Sequence, residues 1–366
     1  MSAILNTSLN IGFVKLTDAA PYVIAKELGF FDKYALDVDL RPQNSWSTLR
    51  DKLEAGMLDA AQMLAPMPIA SALGISGARQ DIITPLVTSQ NGNAITISIA
   101  LVEEIKTALS LDSLPLPMPA SILKQLIDIR KQNNKAKLRF ASVFPFSCHY
   151  LQLLDYFAQG DIALNDVELL FIPPTSMTDS LASEDIDGFC VGGPYNASSV
   201  RKQIGATIVT SYDIWQDRAE KVLGITEEAY KQRPEVFHAL CAAIIDACEW
   251  LKDVPNRFEA ARILAQDKYL STPIECIAPS LIGSCLTMYG VSPRHLTHYN
   301  RFSALNEKDE LAINRPSAEQ GTWLLNKIQH AWPHLCPTTS ANIKIEDCFR
   351  EDIFDQAVAL RLATKA

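Results

Sequence analysis

Residues 9–68 read LNIGFVKLTDAAPYVIAKELGFFDKYALDVDLRPQNSWSTLRDKLEAGMLDAAQMLAPMP. Leu9 to Val14 is an apolar run of strand length. Thr17-Asp18 suits the start of a helix that Gly29 stops after Leu28. Val38 and Leu40 alternate with Asp37, Asp39 and Arg41, the period of a strand with one wet face. Ser45 or Ser47 can cap the next helix, which carries Leu49 and Leu53 on one side. A strand over 58–63 follows, then a helix entered through Pro66 and Pro68, where proline is tolerated. The order β-α-β-α-β predicts a parallel sheet wound with helices, an α/β fold.

Outward from that stretch, residues 83–101 hold two strand-like runs around Gln90-Asn91-Gly92-Asn93, and 111–120, with Pro115, Pro117 and Pro119, reads as an exposed connector. A helix over 120–134 precedes a restart of the β-α pattern: strand 138–143, helix 147–158, strand 167–172, helix 176–183 and strand 187–191. The restart predicts a second α/β lobe inserted within the first. The expected division is 9–96 plus 213–330 for lobe 1, 97–212 for lobe 2, and 331–366 as a tail packing on lobe 1. From Asp213 onward the pattern reads as mainly helical.

An apolar content of 48% with 20% charged residues is that of a globular chain. No apolar run approaches the roughly 18 residues that span a bilayer. A formal net charge of −9 argues against direct contact with nucleic acid or an anionic membrane, both of which need a basic face. The first basic residue is Lys15, and Asn6, Ser8 and Asn10 interrupt any leader-like apolar run, so a cytoplasmic location without a removable leader is expected. None of the eight cysteines forms C-x-x-C or another metal spacing, and all are expected to be unpaired.

Ligands of open α/β sheets sit at the carboxyl ends of strands, where helix N-termini present free N–H groups. Loops of that kind are Asn44-Ser45-Trp46, Gln62 to Ala65, Phe144 to His149 and Gly192 to Asn196. They offer donors and no carboxylate, which favours an electron-rich ligand. Taken singly, His149 reads as a capping histidine as readily as an anion donor. Trp46 reads as a core aromatic or as a flat wall with an indole donor. Lys221 reads as one more solvated lysine.

The pattern resembles the nitrate-binding group of periplasmic-type solute-binding proteins. The resemblance is carried by Gly12 to Asp18, Gly29-Phe30-Phe31, Trp46 with Arg50-Asp51-Lys52, Ala65 to Pro68, Asn91-Gly92-Asn93, Asp187 to Gly192, Asp213-Ile214-Trp215 and Glu220 to Gly224. It implies a two-lobed, periplasmic-binding-protein-like "flytrap" with a central anion cleft and no catalytic activity. Position by position it implies Trp46, an amide of the 91–93 loop taken as Asn93, His149, the Gly192 backbone and Lys221 as ligand contacts. Gln62 and Gln90 are alternatives for the amide. Gly193 stands where the group usually has an acidic residue. Bicarbonate-binding relatives have an acidic residue at the position of Lys221 and recruit a cation with it. A lysine there implies nitrate or nitrite, with no metal and no cofactor. Leaderless members of the group act as nitrate and nitrite sensors that hold an RNA-binding antiterminator of the response-regulator type. That role is the expectation for this chain, with the substrate-binding component of a nitrate ABC transporter as the alternative. A remoter alternative is an enzyme such as a thiamine-precursor synthase, with Cys148 as the nucleophile.

Overall fold

The computed structural model describes residues 7–304, 311–336 and 343–365. Asn6 of the leader argument falls outside these, as do 337–342 of the tail. Among the described residues, the two main sheets are built from β1 (Ser8–Val14), β2 (Asp37–Gln43), β3 (Ala60–Leu64), β4 (Ile82–Asn91), β5 (Asn93–Ser98), β6 (Leu138–Ser142), β7 (Val167–Phe171), β8 (Gly188–Gly192), β9 (Gly205–Thr210), β10 (Ala219–Thr226) and the two-residue strand Asn300–Arg301.

The chain divides into two compact units, one of residues 1–90, 218–271 and 301–366, the other of 91–217 and 272–300. The division departs from the expected one. Residues 91–96 and 213–217 group with the second unit, and so does 272–300, which had been placed in lobe 1. Hydrophobic periodicity shows which segments are helical and says nothing about which sheet a helix covers.

In the first unit the sheet order is Asn300–Arg301, β4, β10, β3, β1, β2. The pairs β1–β2 and β1–β3 are parallel, as the opening sequence predicted, whereas β10 runs antiparallel to both β3 and β4. β10 corrects the expectation of mainly helical structure after Asp213, and it is the strand that carries Lys221. Its register slips against β4: Ala219 faces Gln90 while Lys221 faces Ser89. The register returns at Val222, which faces Val87, so this irregularity is confined to the neighbourhood of Lys221. The helix Pro234–Trp250 buries Phe237, Leu240, Cys241, Ile244 and Cys248. Against it lies the C-terminal helix Glu351–Lys365, held by Arg361 Nε donating to Asp246 Oδ1 at 2.5 Å.

In the second unit the order is β7, β6, β8, β5, β9. β6 is parallel to β7 and β8, and β5 is antiparallel to β8 and β9. The core includes Ile95, Ile97, Leu123, Phe140, Phe157 and Ile208, with the rings of Phe140 and Phe157 edge to face at 5.2 Å. Leu114 and Met118 belong to this core, which corrects the reading of 111–120 as exposed. Pro115, Pro117 and Pro119 are exposed there, while Leu114 and Met118 turn inward. At the start of the unit, Asn91 and Gly92 both take positive φ, 62° and 94°. Asn91 Nδ2 fixes that turn by donating to Asp217 Oδ1 at 2.8 Å and to the His298 carbonyl at 2.7 Å.

Candidate functional site

The expected ligand residues fall into two groups. Trp46 and Lys221 belong to the first unit, and Asn93, His149 and Gly192 to the second.

In the first unit the relevant loops leave the carboxyl ends of β1, β2 and β3. Ser45 Oγ caps the helix Trp46–Glu54 by accepting from Thr48 N, which sets Trp46 at its first position. Lys221 faces Leu64, the last residue of β3, across the antiparallel pair. Trp46 and Lys221 come from distant segments, and Lys221 Nζ lies 5.7 Å from the Trp46 ring centroid. This is within reach of a cation–π attraction. The Trp46 indole N–H is buried and has no acceptor among the described residues.

Lys221 is no solvated lysine: it is 0% exposed, and two carboxylates bracket it. Nζ is 2.8 Å from Asp18 Oδ2 and 2.8 Å from Glu220 Oε1. Burial alone would lower its pKa, but these carboxylates outweigh burial and hold the ammonium well above its ordinary range. An ammonium has three N–H donors. Two are engaged by Asp18 and Glu220, and no third acceptor exists among the described residues. Gln62 sets the arrangement from behind. Its Oε1 accepts from Val14 N at 3.2 Å, and its Nε2 donates to Asp18 Oδ1 at 2.8 Å. Gln62 therefore ties Asp18 to the end of β1, with one end of its amide on Asp18 and the other on Val14 N.

Asp18, Glu220 and Gln62 as a lysine clamp are what the sequence left unseen. Adjacent residues in a regular strand point to opposite faces. Glu220 and Lys221 would be read apart, yet their charged ends meet at 2.8 Å, where the register of β10 against β4 is irregular. The positive charge of Lys221 is shared with Asp18 and Glu220.

In the second unit Asn93 on β5 lies opposite Gly192 on β8. The helix Cys148–Gln159 is capped by Ser147, whose Oγ accepts from Tyr150 N at 3.0 Å and donates to the Phe144 carbonyl at 2.6 Å. His149 is the second residue of that helix and is buried. One turn on, Gln152 Oε1 accepts from Asn93 Nδ2 at 3.0 Å and from the Cys190 thiol at 3.9 Å. Asn93 Oδ1 has no donor among the described residues. Gln152 thus links Asn93 to the helix that bears His149. Residues three apart on a helix share a face, which is the signal that could have found it. Cys148 is fully buried, a poor position for a nucleophile that must meet a substrate. Among the described residues no group of three or more His, Cys, Asp or Glu is placed to hold a metal ion, and no helix is long and apolar enough to cross a membrane.

The NMT1-like family model matches residues 3–265. The nitrate import ATP-binding protein NrtC of Synechocystis is 35% identical, over 96% of this chain and 50% of its own length. The nitrate/nitrite binding protein NrtA of Synechococcus elongatus is 31% identical, over 95% of this chain and 77% of its own length. A bicarbonate transport ATP-binding protein, CmpC of Synechococcus elongatus, is 34% identical over 88% of this chain and 45% of its own. The chain thus spans about half the length of the ATP-binding relatives it matches and most of the length of the binding proteins. The crystal structure of the periplasmic nitrate-binding protein NrtA from Synechocystis superposes with a TM-score of 0.86 at 25% identity, covering 97% of this chain and 89% of that one. Solute-binding proteins for sulfonates share the α/β periplasmic-binding-protein-like fold at 13% identity. So does the desulfurization enzyme DSZB, whose 13% identity and TM-score of 0.56 show the fold alone. On the family match and the NrtA relatives, this chain belongs to the NMT1-like family and, within it, to the NrtA-like nitrate-binding proteins.

Proposed function

We propose that the chain binds nitrate or nitrite, without chemical turnover and without a metal ion, using Trp46 and Lys221 of the first unit and Asn93, His149 and the Gly192 backbone of the second. The observation that carries this reading is the pairing of Lys221 with Trp46. It sets a clamped ammonium with one uncommitted donor beside the face of an indole whose own N–H lacks an acceptor. A flat monoanion fits both the aromatic face and the two donors. Calorimetry on the full chain tests it. Heat with nitrate or nitrite at a micromolar dissociation constant, about −8 kcal/mol, and none with bicarbonate plus calcium is the expected result. The reverse pattern defeats it.

The setting admits two readings, each with its own support. Relatives named for nitrate import favour a substrate-binding part of a nitrate importer. Eight buried thiols, none joined in a disulfide, favour a reducing compartment, hence a cytoplasmic nitrate/nitrite sensor that releases a response-regulator-type RNA-binding antiterminator when the anion arrives. A sensor must obey reciprocity: whatever factor nitrate takes from partner affinity, the partner takes from nitrate affinity. Affinities of each measured with and without the other, using a purified antiterminator of that class, separate the readings. No complex, or a complex indifferent to nitrate, leaves the importer.

A further inference from the structure

We infer that Ser89 is a further anion-binding residue, its hydroxyl donating to an oxygen of the anion that Lys221 holds. The inference rests on the nitrate/nitrite reading above. In the ladders of β10, Lys221 is paired with Ser89 of β4 on one side and with Leu64 of β3 on the other. Residues paired across antiparallel strands project from the same face, with Cβ atoms about 4.5–5.5 Å apart. The register therefore sets the Ser89 hydroxyl beside Lys221. Ser89 is fully buried, and its Oγ has no hydrogen-bond partner among the described residues. A hydroxyl removed from water and left without a partner is costly, and native structures keep few such groups without a purpose.

What the hydroxyl lacks, its neighbours lack too. Two of the ammonium's N–H groups are engaged by Asp18 and Glu220, and the third has no acceptor among the described residues. The indole N–H of Trp46, whose ring centroid lies 5.7 Å from Nζ, is likewise without one. Ser89 Oγ is able to accept from either group, yet it bonds to neither. The hydroxyl, the indole N–H and the last ammonium N–H are thus all uncommitted around one lysine. A ligand that satisfies them must bring acceptors, and nitrate brings three oxygens and no hydrogen. Leu64, the other ladder partner of Lys221, is apolar and has no donor to give. Ser89 also differs from the charged groups here. It adds a bond to the anion without adding charge, so its loss should cost affinity while the ion pairs of Lys221 stay in place.

The test uses the full chain, with nitrate as the probe in calorimetry and a denaturant titration run without anion beside it. A buried hydroxyl with no partner contributes nothing to the empty protein. Ser89→Ala is therefore expected to be at least as stable as the unaltered chain when no anion is present. Its nitrate dissociation constant is expected to rise roughly 10- to 100-fold, the range of a hydrogen bond to a charged group. Ser89→Thr keeps the hydroxyl and should retain more affinity than Ser89→Ala. Unchanged nitrate affinity in Ser89→Ala overturns the inference. So does a loss of affinity that comes with a loss of anion-free stability, because the hydroxyl is then bonded inside the empty protein and its role is structural. Should Ser89→Ala not fold, Ser89→Cys decides, its thiol being a weak donor of similar shape: weakened nitrate binding supports the inference, and unchanged binding overturns it. An unaltered chain that binds neither nitrate nor nitrite is a different result, which removes the underlying reading and this inference with it.

Discussion

Lys221 lies between two buried carboxylates, so its removal takes a buried cation from each of them. Breaking a buried ion pair by deleting one partner typically costs about 3–5 kcal/mol, because the other charge remains buried without compensation. Lys221→Met is expected to lose that much stability in a denaturant titration, together with nitrate affinity. Adding Glu220→Gln to it should restore part of the stability and none of the affinity; if the double variant is no more stable than the single one, Glu220 is not ionised against Lys221. Gln152 offers a second residue-scale prediction. Asn93 Nδ2 now donates to Gln152 Oε1, which leaves Asn93 showing an acceptor, the wrong polarity for an anion. The two planar amides can exchange roles by half-turns, Gln152 Nε2 then donating to Asn93 Oδ1 and freeing Asn93 Nδ2. Glu at position 152 is acceptor-only and blocks the exchange. Gln152→Glu is therefore expected to weaken nitrate binding by about tenfold or more, on the order of 1.4 kcal/mol, and Gln152→Met less. Equal losses in the two variants would mean that the Asn93 donor takes no part.

At the scale of elements, the helix Ser211–Trp215 shows a pH-dependent joint. Thr210 N and Oγ1 both donate to Asp213 Oδ2, at 2.8 Å each, and Arg294 adds a two-pronged contact to the same carboxylate at 2.9 and 2.8 Å. Burial pushes the Asp213 pKa up, but Arg294 and Thr210 prevail and hold it below the ordinary carboxylate range. A carboxylate depressed in the folded state contributes stability that is fully present above its unfolded pKa of about 3.9 and fades as pH falls through the folded value. Arg294→Gln should accordingly be less stable than the parent at pH 7, with the gap narrowing below about pH 4; a gap independent of pH would place the effect elsewhere. Most elements were legible because their apolar spacing matched their period. β1, β2 and β3 alternate or run apolar between turn signals, and Ser45 and Ser147 cap the helices expected after them. β10 was not legible. All of its residues but Thr226 are buried, so it lacks the alternation of a half-wet strand. The charged Glu220-Lys221 pair at its centre is unlike a buried strand until the clamp that neutralises it is known. The site followed the same rule. Trp46, Asn93, His149, Gly192 and Lys221 were named through resemblance, whereas Asp18, Gln62, Gln152 and Glu220 act on those residues by side-chain contacts that no one-dimensional pattern encodes.

On the scale of the whole molecule, a chain that crosses repeatedly between two units cannot be divided by composition, and its thiols give a readout that spans both units. Cys148, Cys190, Cys276 and Cys285 lie in one unit, and Cys241, Cys248, Cys336 and Cys348 in the other; all eight are buried and none is joined in a disulfide. Burial pushes the Cys248 and Cys348 thiols up to about 12 and that of Cys285 to about 11, so little reactive thiolate exists in the native state at neutral pH. Labelling by a thiol reagent then requires opening of the structure, local or global. A ligand that binds the folded form alone suppresses global opening by a factor of 1 + [L]/Kd. Nitrate at a hundred times its dissociation constant should slow the labelling of such thiols roughly 100-fold, equivalent to about 2.7 kcal/mol. Cys336, at 9% exposure, is expected to react through local fraying and to be nearly indifferent to nitrate. Mass spectrometry of timed labelling resolves each site. Slowing at Cys148 and Cys190 alone would confine the ligand's effect to the second unit, and Lys221 would then lose its place in the site. Slowing at Cys241 and Cys248 as well means that the anion stabilises the unit containing Lys221, which an anion held only by Asn93 and His149 would not do unless the two units unfold as one. Repeating the experiment with Lys221→Met resolves that last case: protection of Cys241 and Cys248 must then disappear, because the nitrate-dependent part of their protection was drawn through Lys221.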